Sequence, residues 1–302
     1  KDFLKFSFSG TSYADQLAAA SQKAGDVCAV TCAEQDVNGV NVMWVKHNFG
    51  FLGGSLGCAE GERVTRAFEH ATAAGIPVVV ESKSGGARMQ EGVLSLMQMA
   101  KVSVAVEAHR RAGLAFISVL DEPTYGGVSA SYAMQADVRI SVAGARIGFA
   151  GPDVILNTMM EGDQAAYDLA CPERFQTSEF VMERGQLDIV VPNEPKERDA
   201  TVAGVLSLLN GGPGAAAAPI PAPPPTEAEL SAESDYTKSR AMDRPQAQDL
   251  MGGLFERFVE LKGDGKVGTD ACIRGGLAAL GGRACVVLGN SQGHSPGALQ
   301  AT

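Results

Sequence analysis

Two stretches decide the fold: Pro77-Val-Val-Val-Glu-Ser-Lys-Ser-Gly-Gly-Ala-Arg-Met-Gln-Glu91 and Ala115-Phe-Ile-Ser-Val-Leu-Asp-Glu-Pro-Thr-Tyr-Gly-Gly-Val-Ser-Ala130. Each opens with a short, near-continuous apolar run that reads as a strand. Each run ends in a Gly-Gly pair, and a helical pattern follows. A strand whose Gly-Gly turn opens a helix is thus used twice, with Gly86 and Gly127 41 residues apart. Such a turn delivers unpaired backbone N–H groups at a helix N-terminus, where the dipole favours negative charge. Glycine lets a ligand approach that backbone closely. Two turns from neighbouring layers can converge on one point, and two N–H donors aimed at one oxygen make an oxyanion hole. Gly53-Gly54, Gly252-Gly253, Gly275-Gly276 and Gly281-Gly282 show that a glycine pair alone is often only a tight turn. It is the shared strand-to-helix context that sets the two stretches apart.

Outward from these turns, the spacing of apolar residues predicts strands at Val37 to Val45, Pro77 to Ser82, Ala115 to Asp121, Val138 to Val142 and Leu187 to Val191. Helices are predicted at Glu62 to Ala74, Gln90 to His109 and Pro195 to Leu209. Strands alternating with helices are the signature of stacked β-α units. From Asn210 to Thr226 the chain is almost entirely Pro, Gly and Ala, which buries little apolar surface and reads as an extended linker. It divides the chain into a region 1–209, a linker 210–234 with an acidic end, and a C-terminal segment 235–302. In that segment Gln246 to Leu261 reads as an amphipathic helix. Ala271 to Leu277 and Ala284 to Leu288 read as a β-hairpin joined by Gly281-Gly282.

The 302 residues, 45% hydrophobic and 20% charged, are enough to bury a core and exclude wholesale disorder. A net charge of −10 repels phosphate backbones and argues against a nucleic-acid binder. No apolar stretch approaches the ~20 residues of a membrane span. The six cysteines (Cys28, Cys32, Cys58, Cys171, Cys272, Cys285) form no CxxC pair and have no His at ligand spacing, so they read as thiols in a reducing compartment, with no metal site. The start at Lys1 reads as a processed or trimmed product.

Neither glycine turn carries His or Cys; His47, His70, His109 and His294 all lie elsewhere. Ser84, Ser129 and Ser131 have no evident base, and Ser-Gly-Gly does not match a nucleophile elbow. Glu91, Glu122 and Asp137 could act as acids or bases, or serve as caps and solvated charges. Oxyanion donors without a proton carrier suit chemistry in which substrate or cofactor supplies its own base. Arg88, one residue beyond the first turn, could meet a phosphate or carboxylate, or pair with Glu91. Phe149 could cap an apolar ligand pocket or belong to the core, and Trp44 reads as core.

At these residues the sequence resembles a known family. Gly53-Gly-Ser-Leu-Gly57, Ser84-Gly-Gly-Ala-Arg-Met-Gln-Glu-Gly92 with Leu96-Met-Gln-Met-Ala100, Pro123-Thr-Tyr-Gly-Gly-Val-Ser-Ala-Ser131, Ile147-Gly-Phe-Ala-Gly-Pro152 and Phe175-Gln-Thr-Ser-Glu-Phe180 resemble the β subunit of bacterial and plastid acetyl-CoA carboxylase carboxyltransferase. The match runs from about Phe3 to Leu209. After the linker, Asp243-Arg-Pro245, Phe258-Val-Glu-Leu-Lys-Gly-Asp264 and Gly275-Gly-Leu-Ala-Ala-Leu-Gly-Gly-Arg283 are similar to the start of the α subunit. The chain departs from the pattern in lacking the four-cysteine zinc ribbon, in its length between Ile155 and Phe175, in Tyr125 where Met is usual, and in Lys262-Gly-Asp-Gly265.

The resemblance implies an α/β crotonase (ClpP-like) fold of stacked ββα superhelical turns, with CoA bound largely by the β-like part. It implies carboxyl transfer from carboxybiotin on a carrier protein to acetyl-CoA, giving malonyl-CoA, the first step of fatty acid synthesis. In that reaction the biotin nitrogen removes the α-proton and the enolate attacks CO2. Backbone N–H groups around Gly85, Gly86, Ala87, Gly126 and Gly127 would hold the enolate oxygen, with Arg88, Tyr125 and Phe149 as substrate-binding candidates. The implied partners are an α-type subunit or segment, a biotin carboxyl carrier protein and biotin carboxylase, in a hetero-oligomer of the plastid stroma or bacterial cytoplasm. The alternative is a non-catalytic scaffold or regulatory subunit that keeps the fold.

Overall fold

A seven-stranded mixed sheet carries the two glycine turns. In the computed structural model, which describes residues 2, 4–8, 10–209, 246–266, 268–270 and 272–290, the chain forms two compact units: Lys1–Ala203 with Gly263–Gly268, and Gly204–Lys262 with Thr269–Thr302. The elements run β1 (Ser7–Phe8), β2 (Thr11–Ser12), α1 (Tyr13–Ala24), β3 (Val30–Val37), β4 (Val40–His47), α2 (Cys58–Ala74), β5 (Val78–Ser84), α3 (Val93–Arg111) and β6 (Phe116–Tyr125). Then come α4 (Gly126–Ser129), β7 (Val138–Val142), β8 (Ile147–Gly148), α5 (Pro152–Val154), α6 (Gln164–Ala170), α7 (Ser178–Glu183), β9 (Ile189–Val191) and α8 (Pro195–Leu209). After these follow α9 (Ala247–Leu254), β10 (Arg257–Leu261), β11 (Ile273–Leu280) and β12 (Arg283–Asn290). The expected linker 210–234, the motif Asp243-Arg-Pro245 and His294 lie outside the described residues.

The main sheet has the order β3-β4-β5-β6-β7-β9, with β8 pairing the end of β6. Only β3 and β4 pair antiparallel; the other pairings are parallel. Val78 to Val80 are all buried, which is why the sequence shows an unbroken apolar run there. α2 and α3 lay Val64, Phe68, Ala71, Val102 and Val106 into one cluster with Val45, Val80, Phe116 and Leu120 of the sheet. Phe68 packs edge-on against Phe116 at 5.0 Å between ring centres. Gly57 N–H is capped by Glu60 at 3.1 Å as α2 begins, and Gly75 ends the helix at φ 68°.

Three expectations are corrected. The strand expected over Val37 to Val45 is interrupted by Asn38 (φ 53°) and Gly39 (φ 86°), which turn β3 into β4 as a two-residue hairpin. Asn-Gly is the strongest short hairpin signal, and β3 is an exposed strand whose weak apolar pattern hides it. Trp44 is only partly buried. In the second unit the helix expected to reach Leu261 ends at Leu254, and β10 continues as a strand paired with β11. Gly252-Gly253 weakens the helix and β pairing takes over. The β11-β12 hairpin forms as read, turning at Gly281 (φ 58°) and Gly282 (φ 73°).

Candidate active site

The two glycine turns meet. β5 and β6 are parallel neighbours, so their C-terminal ends deliver Gly85-Gly86-Ala87 and Gly126-Gly127 to the same edge of the sheet. A Cβ on Gly86 (φ +111°) would lie 3.0 Å from Gly126 Cα and 3.4 Å from Gly127 N. A Cβ on Gly126 (φ +58°) would lie 3.0 Å from Gly86 Cα. Backbone therefore packs on backbone, at a distance and with dihedrals that glycine alone accommodates.

Hydrogen bonding separates the five expected donors. Gly85 N–H goes to the Gly53 carbonyl at 2.8 Å, Gly126 N–H to the Phe149 carbonyl at 2.9 Å, and Gly86 N–H to Ser84 Oγ at 3.1 Å. Among the described residues, Ala87 N–H and Gly127 N–H have no acceptor. These two lie together, since a Cβ placed on Gly127 would be 3.3 Å from Ala87 N. A pair of unsatisfied, juxtaposed N–H groups on a rigid backbone is what an oxyanion needs. The first turn differs from its sequence reading. It does not open α3: Leu56 bridges Ala87, a 3-10 turn spans Met89–Glu91, and α3 starts only at Val93. Its donors are thus aimed by a neighbouring loop, whereas those of Gly126-Gly127 stand at the start of α4.

Arg88 is corrected from a substrate-binding candidate to an interior cation. Its side chain is 1% exposed, and its guanidinium donates to Glu60 Oε1 (2.7 Å), the Ser55 carbonyl (2.7 Å) and Ser55 Oγ (3.1 Å). Glu91 Oε1 lies 3.5 Å away and accepts from the Tyr13 hydroxyl at 2.5 Å. Burial pulls the Glu91 carboxyl up, but bonds from Cys58, Tyr13 and Arg88 outweigh it and leave its pKa below the ordinary value. Every donor of Arg88 thus faces protein, because Glu60 is fully buried and requires a counter-charge. Glu91, three residues on, is a partner visible in the sequence; Glu60 is not, because its spacing from Arg88 carries no local signal.

Tyr125 is 8% exposed, and its ring lies 3.5 Å from where a Gly151 Cβ would stand. Burial raises its pKa. Phe149, 75% exposed, is no core residue; it lines a cavity of about 560 Å³ with Met134, Ile147, Phe180, Arg184 and Lys266. The Arg184 guanidinium stacks 3.5 Å from the Phe180 ring centre. β8 and α4 are common to this cavity and the second turn, for Ser129 Oγ donates to the Gly148 carbonyl at 2.7 Å. No three His, Cys, Asp or Glu side chains gather as a metal site among the described residues, and no described helix is long and apolar enough to cross a membrane.

Residues 7–302 match the carboxyl transferase domain. The chain belongs to the carboxyl transferase domain family. This carboxyl transferase chain is 42% identical over 298 residues to the acetyl-coenzyme A carboxylase carboxyl transferase subunits beta/alpha of Salinispora tropica, covering 95% of the chain and 51% of that protein. It is 44% identical over 206 residues to the corresponding subunit beta of Pelobacter propionicus, covering 68% of the chain and 69% of that protein. The chain thus spans about half the length of the fused beta/alpha relatives it matches. The transcarboxylase 12S hexamer core aligns with a TM-score of 0.67 at 22% identity, over 87% of this chain and 48% of that one. The Pseudomonas malonate decarboxylase MdcD-MdcE heterodimer aligns at 0.51 and 24%, over 59% and 76%. The mixed sheet and these likenesses establish the crotonase-like fold.

Proposed function

We propose that this chain is the acyl-CoA-binding, β-type part of an acetyl-CoA carboxyltransferase that forms malonyl-CoA. The observation that carries the proposal is the pair of unsatisfied N–H groups at Ala87 and Gly127. They would bind the thioester oxygen weakly in the ground state and strongly once it becomes an enolate, which lowers the barrier to removing the α-proton. Close glycine packing keeps both donors in place, so they need not reorganise as charge develops. The turns offer no side-chain base: Glu91 is engaged by Tyr13, Arg88 and Cys58, and the Ser84 and Ser131 hydroxyls are held within their own turns. Carboxybiotin, delivered on a carrier protein, would supply both the carboxyl group and the basic nitrogen. We assign none of the described residues to biotin.

The cavity at Phe149 suits the pantetheine arm, with apolar walls for its methylenes and Arg184 and Lys266 for phosphate. Phe149→Ala should raise KM for malonyl-CoA about 10-fold and leave kcat nearly unchanged, because the ring contributes uniform binding. Steady-state kinetics at varied malonyl-CoA checks this. The partners proposed are an α-type segment, a biotin carboxyl carrier protein and biotin carboxylase, within a hetero-oligomer of the bacterial cytoplasm. The decisive experiment is the reverse reaction of the full assembly, malonyl-CoA plus biocytin giving acetyl-CoA. Turnover supports the reading; an intact assembly with neither turnover nor acetyl-CoA binding overturns it in favour of a scaffold.

A further inference from the structure

The first glycine turn is seated in the loop that follows β4. There the Gly53 carbonyl accepts Gly85 N–H, Leu56 N–H reaches the Gly86 carbonyl at 2.8 Å, and Arg88 N–H returns to the Leu56 carbonyl at 2.9 Å. Gly54, in the middle, has φ +62°, and a Cβ there would run into the Lys83 carbonyl oxygen. The loop is itself pinned, for the Gly54 carbonyl lies 3.2 Å from His47 Nδ1. The other ring nitrogen, Nε2, lies 2.7 Å from the Tyr132 hydroxyl. Tyr132 begins the 3-10 turn Tyr132–Met134 just beyond α4, and its neighbour Ser131 donates to the Gly127 carbonyl at 2.5 Å. One buried bridge thus joins the seat of the first turn to the segment that carries the second.

The protons on this bridge follow from its partners. A carbonyl only accepts, so Nδ1 carries a proton. Burial lowers the His47 pKa to about 4, so the ring is neutral and Nε2 accepts from the Tyr132 hydroxyl. Both side chains are buried, His47 at 4% exposure and Tyr132 at 0%, with rings stacked at 6.1 Å. Neither touches the cavity at Phe149.

We propose that His47 and Tyr132 are positioning residues that hold Ala87 N–H and Gly127 N–H at the separation an oxyanion requires. The proposal rests on the oxyanion reading of those two groups. A phenylalanine at 132 would fill the same space, yet would free His47, the Gly53–Leu56 loop and then the first turn to shift.

The test is Tyr132→Phe and His47→Gln, singly and together, in the full assembly. With malonyl-CoA and biocytin, Tyr132→Phe should lower kcat about 10- to 10²-fold, less than outright removal of an oxyanion donor. KM should stay within about two-fold, because ground-state contacts with the thioester are untouched. The double variant should be no worse than the poorer single one, since the two side chains act as a unit. Amide hydrogen exchange across Gly85–Ala87 should quicken in every variant, a readout that needs no turnover and so separates this proposal from the reaction assigned above. In the wild type, 15N NMR should find His47 as the Nδ1–H tautomer. The Nε2–H tautomer overturns the proposal, as do unchanged exchange, a kcat within about two-fold of wild type in Tyr132→Phe, or additive losses.

Discussion

On the proposed oxyanion reading, Gly127→Val should lower kcat of the full assembly about 10²- to 10³-fold, the cost of losing one such donor. The side chain would enter between the two turns, where even a Cβ meets Ala87 Cβ at 3.2 Å, Ala87 N at 3.3 Å and Met99 Sδ at 3.3 Å. It would push Ala87 away and cover the space in front of both free N–H groups. Gly127 has no positive φ, so backbone strain is not the cause. The fold should therefore survive, with acetyl-CoA binding weakened far less than turnover. Comparing kcat, isothermal titration with acetyl-CoA and the melting curve separates these effects. A kcat within about ten-fold of wild type, with the variant folded, would remove the oxyanion role from this turn.

Arg88→Met should be the most destabilising of the substitutions considered. It leaves the Glu60 carboxylate, at 0% exposure, without its cation, and breaking a buried pair in this way costs about 3–5 kcal/mol. For a chain of this size that lowers Tm by roughly 6–20 °C. Removing both charges with Glu60→Gln and Arg88→Met should recover much of the loss, because no ion is then left buried alone. Scanning calorimetry on the two variants decides the matter; equal destabilisation by the single and the double would show that packing and not charge is responsible. The same cluster adds acid sensitivity. The Glu91 pKa is lower in the folded protein than its ordinary 4.5, so its contribution is complete above that value and is lost as pH falls towards the lowered one.

The alternation of strands and helices around the two turns is local information and is legible in the sequence, whereas α1, α6 and α7 are not read from it. Apolar runs at Val78–Val80 and Phe116–Leu120, helical spacing over Val64–Ala71, and glycines at positive φ are each specified within a few residues. The exposed strand β3 is not legible from its apolar pattern, because six of its eight residues are exposed and both faces are largely solvated. The junction of α9 with β10 was missed for a related reason: its partner, β11, lies beyond it in the chain and overrides helical spacing.

By itself, then, the sequence determined that two strands end in glycine turns and that neither turn carries His or Cys. Only the tertiary structure decided which of their N–H groups are free. Gly85 and Gly126 are spent on carbonyls of Gly53 and Phe149, residues far along the chain, while Ala87 and Gly127 find no acceptor. It likewise decided that Arg88 answers Glu60 and that His47 reaches Tyr132. The physical reason is common to all of these: whether a hydrogen-bonding group is satisfied or left free depends on what the fold brings within about 3 Å, and sequence spacing does not reveal which group that is.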